Sequence, residues 1–169
     1  MKLTKILEEV MSEIGDTSNI ETYNTSLETK YHDYDEQQFV VRFTTENDTK
    51  YAVYIFKQTL DEGETWSMLI EFGVEGENDS YDYSAVTNKG EMYKVMATIV
   101  KIAKEMIAKS KKEGQYIREI IIEPSKNFED DTRRTNLYRA FVEKNMPQGS
   151  EIEMPQDMSY IKVIIPKQN

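Results

Sequence analysis

The chain contains no cysteine, which excludes disulfides, a thiol nucleophile and any thiolate-bound metal. Its single histidine, His32, excludes a multi-histidine metal cluster. Glycine is sparse, at 7 residues, and none is arranged as a phosphate loop, a dinucleotide fingerprint or a Gly-x-Ser-x-Gly nucleophile elbow. The longest apolar runs are four or five residues, too short to span a bilayer. Positive charge is also in deficit. With 21 Lys+Arg against 31 Asp+Glu the net charge is −10, which argues against a general affinity for nucleic acid or anionic lipid.

What is present describes a folded protein. The length of 169 residues fits one domain, and 1 Trp, 11 Tyr and 6 Phe are far more aromatics than a disordered chain carries. The opening Met1-Lys-Leu-Thr-Lys lacks the apolar stretch of a signal peptide, so the expected location is cytoplasmic. Leu3, Ile6, Leu7, Val10, Met11 and Ile14 form one apolar stripe at helical spacing, and Gly15 supplies a stop. The expectation is therefore one domain over 1–169, with an N-terminal helix at 1–15 and a core at 37–165.

From Asn19 to Gln38 the chain is polar and Tyr-rich, and one irregular strand near Leu27–Tyr31 is the most it suggests. His32 stands there beside Asp33 and Asp35, where an imidazole could act as a base or simply face solvent. Phe39–Phe43 and Tyr51–Phe56 flank a turn at Glu46-Asn-Asp48 and predict a hairpin. Thr65–Phe72 predicts a third strand, with Trp66, Met68, Ile70 and Phe72 on one face. A long loop is expected over 73–90, then a helix over 91–112 whose lysines crowd its C-terminal end. Tyr116–Glu123 reads as a buried strand closed by Pro124. A second helix starts near Asp130–Thr132, and a last strand covers 159–165, with a short one at Glu151–Met154 before it. This order gives an α+β fold with a mixed, mainly antiparallel sheet and helices on its faces.

Three antiparallel strands, a long helix, a strand, a helix bearing Asn136-Leu137-Tyr138 and a final strand resemble the core of the GNAT acyltransferase fold. Thr87-Asn-Lys-Gly90, Val95–Val100 and Arg134-x-x-Leu137-Tyr138 further resemble a phage-encoded GNAT-like group, which would place the protein in a host cytoplasm or a virion. The resemblance implies Tyr138 as the acid for a departing thiolate and a carboxylate such as Glu71 as base. Acetyl-CoA would sit at Asn88, Lys89 and Gly90. It would enter through a splayed gap between parallel strands at 68–73 and 116–121. The sequence departs from that pattern at the cofactor turn, where only Gly90 matches and Glu91 puts a carboxylate in the place of a diphosphate.

Nine carboxylates lie between Asp61 and Glu91 against one cation, Lys89. Among them Glu75, Glu77, Asp79 and Asp82 form a candidate surface for a basic partner, with Arg134 as a further contact; a solvated acidic loop is the plain alternative. Glu75-x-Glu77-x-Asp79 lacks the ordered spacing of a calcium loop, so no metal and no other cofactor is expected. Residues 94–118 carry seven cations against two carboxylates, and opposite ends of opposite charge permit self-association. Three readings follow. The first is a GNAT-like protein acting through protein contacts without acetyl transfer. The second is an N-acetyltransferase, and the third an acidic mimic of nucleic acid that inhibits a host protein.

Overall fold

A computed structural model describes residues 20–61, 64–75, 81–82, 89–123, 132–155 and 160–167; for 81–82, 89–92 and 132–138 it describes the backbone alone. The predicted N-terminal helix therefore lies outside the described residues. Strands β1 (Ser26–His32), β2 (Glu36–Thr44), β3 (Lys50–Asp61) and β4 (Thr65–Glu75) form an antiparallel meander. A two-residue strand β5 (Tyr81–Asp82) pairs back on β4. Helix α1 (Lys89–Lys112) leads to β6 (Tyr116–Glu123), helix α2 (Thr132–Asn145) follows, and β7 (Glu151–Glu153) and β8 (Ile161–Ile164) end the chain. The sheet order is β1-β2-β3-β4-β6-β8-β7, and only the β4–β6 pairing is parallel. The protein is thus α+β with a mixed, mostly antiparallel sheet.

Alternation sets the core. Phe39, Val41 and Phe43 of β2 face the same way as Tyr51, Val53 and Ile55 of β3 and as Trp66, Met68, Ile70 and Phe72 of β4, because the registers Val41–Val53 and Val53–Phe72 keep the parity. Ile117, Ile120 and Ile122 of β6 continue the face, and Val95, Met96, Ile99, Val100, Ala103 and Met106 of α1 cover it. At 1.5 Å per residue a 24-residue helix is about 36 Å long, matching the span of β3 and β4. Helix α2 lies on the same side, since Phe141 belongs to this core and meets the Tyr93 ring at 6.1 Å.

α1 ends in a Schellman motif. Gly114 takes φ +75°, the Gln115 amide donates to the Ser110 carbonyl at 2.8 Å, and the Gly114 amide donates to the Lys111 carbonyl at 3.1 Å. This turn aims Gln115 back at the sheet.

Two sequence expectations need correction. The irregular strand expected near Leu27–Tyr31 is β1, with its register shift between Thr29 and Tyr31, but Glu36–Gln38, expected as loop, already belong to β2. All seven β1 residues are exposed, so no apolar alternation announces the strand. The β1–β2 turn is instead set by Asp33, whose Oδ1 accepts from the Asp35 and Glu36 amides at 3.0 and 2.8 Å. The stretch 73–90 is also not a plain loop, because β4 runs on to Glu75, β5 returns beside it, and α1 starts at Lys89. His32 is exposed in β1, opposite Gln37. No helix among the described residues is long and apolar enough to cross a membrane.

Candidate functional site

The end of the sheet where β4 finishes and α1 begins gathers most of the groups singled out in the sequence. An open groove of about 580 Å³ lies there, walled by the 21–26 segment, Arg42–Thr44 and Lys94. Tyr23, Phe43 and Tyr51 stack in a row along it, with ring centroids 5.5 and 5.2 Å apart. Tyr23 is pinned by its backbone amide, which donates to the Thr98 hydroxyl at 3.1 Å. Thr98 in turn donates to the Lys94 carbonyl at 2.8 Å, the usual outlet for a helical threonine.

Each cation on this groove is matched by carboxylate. The Lys94 ammonium sits 4.3 Å over the Tyr23 ring and 2.7 Å from Glu46, which also accepts from the Tyr23 hydroxyl at 2.6 Å. Those two donors, Lys94 first, hold the Glu46 carboxyl down at about 2. Arg42 is clasped by Glu28 at 2.6 Å and Glu75 at 2.7 Å. Its reach from β2 to the end of β4 crosses Ala52 and Gly73, which share its register row. Only residues that small leave room for a guanidinium to lie across two strands. With Glu21 also on the wall, four carboxylates stand among three cations, Arg42, Lys94 and Lys30, the last 2.8 Å from Glu28.

The expected site residues fall as follows. Glu71 is half-buried in β4, and by alternation from Ile70 and Phe72 it projects from the face away from α1. Tyr138 and Arg134 are on α2, on the helix-covered side, with only their backbone described. Between those two faces the sheet is closed, because β4 and β6 stay paired from Ser67–Glu119 to Glu71–Glu123, past a single irregularity after Trp66. Beyond Glu71, β3 holds one edge of β4 through Tyr51–Val74, so β5, paired through Asp82–Val74 and Tyr81–Glu75, takes the other. The chain's own strand thus occupies the edge along which a gap between β4 and β6 would open. Lys89 and Gly90 open α1, and Glu91 falls in its first turn, where the free amides and the dipole favour a carboxylate. Asp82 is the second residue of β5. Asn88, Glu77 and Asp79 lie outside the described residues. Glu75 is engaged by Arg42 rather than standing apart.

Arg42, Glu28, Glu46, Lys94 and Tyr23 were not anticipated. The available signal was Arg42 itself, a long cation opposite the small residues of the next two strands. Among the described residues no group of three or more Asp, Glu or His could hold a metal ion. Compared with protein-family models, curated proteins and solved structures, the chain matches none.

Proposed function

We propose that the chain is a GNAT-like protein, phage- or bacteria-encoded, that works by protein–protein contact rather than acetyl transfer. Its acidic end meets a basic partner. The acyltransferase likeness draws support from the element order β2-β3-β4, α1, β6, α2, β8, with β4 and β6 parallel. The observation that carries the non-catalytic part is β5 on the edge of β4 beyond a β4–β6 ladder that runs on from Ser67–Glu119 to Glu71–Glu123. A thioester arm laid between the strands would have to displace backbone pairs already made, and each buried amide left without a partner costs about 1–3 kcal/mol. The groove adds to this, because Arg42 and Lys94 already hold carboxylates and a diphosphate would compete with them.

Calorimetric titration with acetyl-CoA tests the reading. The expected result is no binding tighter than about 100 μM. A tighter complex, with acetyl transfer lost in Tyr138→Phe, would restore the transferase instead. The contact surface is tested by capture of proteins from a host lysate on the immobilised chain, with Glu21→Lys plus Glu77→Lys as the variant. Retained basic proteins should be released by salt and lost with the variant; retention unchanged by both overturns the acidic-surface reading.

A further inference from the structure

At the opposite end of the sheet Lys57 is 1% exposed. Its parity in β3 points it into the core beside Gln37 of β2, and its ammonium lies 5.1 Å from the Trp66 ring centre. The ammonium donates to the Gln37 side-chain oxygen at 3.1 Å and to that of Gln115. Among the described residues no carboxylate forms an ion pair with it: Glu113 acts on it only through space, and Lys109 opposes its charge. Among the described residues, then, this buried cation is held by two neutral amides and an aromatic face, a costly arrangement that an anion would relieve.

Gln115 has a second role. It lines a cleft of about 270 Å³ between the end of α1, the start of β6 and the chain after β8. The walls are apolar, with Ile107, Ile117, Ile165 and Pro166 prominent, and Lys111 and Lys167 stand on the rim. The Schellman turn fixes the Gln115 backbone, while its half-buried side chain both lines the cleft and accepts from Lys57.

We propose that this cleft binds a small amphipathic monocarboxylate, with its apolar body against Ile107, Ile117 and Ile165 and its carboxylate in place of the Gln115 amide on Lys57. The exchange is one acceptor for another, and it supplies Lys57 with a counter-charge. At roughly 30 Å³ per water-sized group the cleft holds about nine such groups, the size of a six-carbon acid. The rim lysines favour approach of the anion, and the apolar walls exclude a fully hydrated one such as phosphate. This site is independent of the acidic end and of the proposed function.

The test uses the full chain with sodium hexanoate, and 1-hexanol and hexylammonium as charge controls, followed by amide chemical shifts. Saturable shifts are expected at Gln115, Ile117 and Ile165, with hexanol at least about tenfold weaker and hexylammonium without effect. Lys57→Met should bring hexanoate down to the affinity of hexanol, and Gln115→Ala, which removes the amide that the carboxylate replaces, should tighten hexanoate. Absence of hexanoate shifts, equal affinity for hexanol, or a hexanoate affinity that falls only in Lys111→Gln or Lys167→Gln would each overturn the proposal. Should Lys57→Met fail to fold, the sign of the Gln115→Ala effect decides, because weaker binding there refutes the exchange.

Discussion

Lys57→Met is the substitution whose outcome the structure constrains most closely. Burial pushes the Lys57 amine down from 10.5 to about 8, a cause only partly offset by Glu113. At about 1.4 kcal/mol per unit, that displacement corresponds to about 3 kcal/mol spent on burying the charge. The Met variant escapes that cost. It loses in turn the donor to Gln37 and Gln115, about 1 kcal/mol for each amide oxygen left without a partner. It also loses the contact over Trp66, worth about 0.5–2 kcal/mol. Near pH 7 the two chains should therefore be equally stable to within about 1 kcal/mol.

The pH dependence separates the contributions. Between about pH 8 and pH 10.5 the unfolded chain still holds the Lys57 proton and the native chain has released it. The unfolded state then binds more protons, so wild-type stability rises with pH by about 1.4 kcal/mol per unit relative to the Met variant. Below pH 8 both states hold the proton and the difference is flat. Lys109 and Glu113 face the site in both chains and cancel in the comparison. Urea unfolding followed by the fluorescence of Trp66, the sole tryptophan, at pH 7, 8, 9 and 10 measures the difference directly. It should move in favour of wild type by about 2–3 kcal/mol over that range. Parallel profiles would refute the reasoning, since they would mean that Lys57 carries its charge as easily inside as outside.

Three other outcomes are expected. Gly114→Ala should cost about 1 kcal/mol in urea unfolding, entirely from φ +75° because nothing lies within 4 Å of the added carbon, while Gly149→Ala should cost more because Pro166 Cγ stands 3.3 Å away at φ +86°. Ile70→Ala, at a fully buried position in the middle of β4, should cost about 2–5 kcal/mol by the same assay. Glu46, held at about 2 in the native chain against an ordinary 4.5, contributes stability above pH 4.5 that is lost as pH falls towards 2. Thermal melts should accordingly show wild type and Glu46→Gln converging between pH 5 and pH 2.5.

The parts of the fold that could be read from the sequence are those with a buried face. Trp66, Met68, Ile70 and Phe72 alternate because one side of β4 meets α1, and that period survives in the residue types. The parallel step from β4 to β6 follows from the long helix between them. β1 could be read only as a short irregular strand for the converse reason, since a wholly exposed edge strand has no buried face to impose an alternation. β5 is two residues long and rests on pairing to β4, which no local pattern encodes. Lys57 falls between these cases. Tyr51, Val53, Ile55 and Lys57 share one parity, and so do Gln37, Phe39, Val41 and Phe43. A lysine and a glutamine that each continue an inward series mark a polar pair inside the core, and that signal was available in the sequence alone.

The same logic explains why the ion pairs of the acidic end could not be read from the sequence. Counting charges along the chain treats Glu75 as one of nine, yet its partner Arg42 comes from 33 residues away, through a row that only Ala52 and Gly73 leave open. Glu46 and Lys94 are likewise brought together only when α1 crosses the sheet, although the helix belongs to the basic half of the sequence. What the fold does with this end is therefore to intersperse Arg42, Lys94 and Lys30 among Glu21, Glu28, Glu46 and Glu75. The basic partner proposed above would have to meet both signs in a fixed arrangement, because the interspersed cations reject a uniformly positive ligand as well as a uniformly negative one. It offers little to a diphosphate, which would have to take Arg42 from two carboxylates at once.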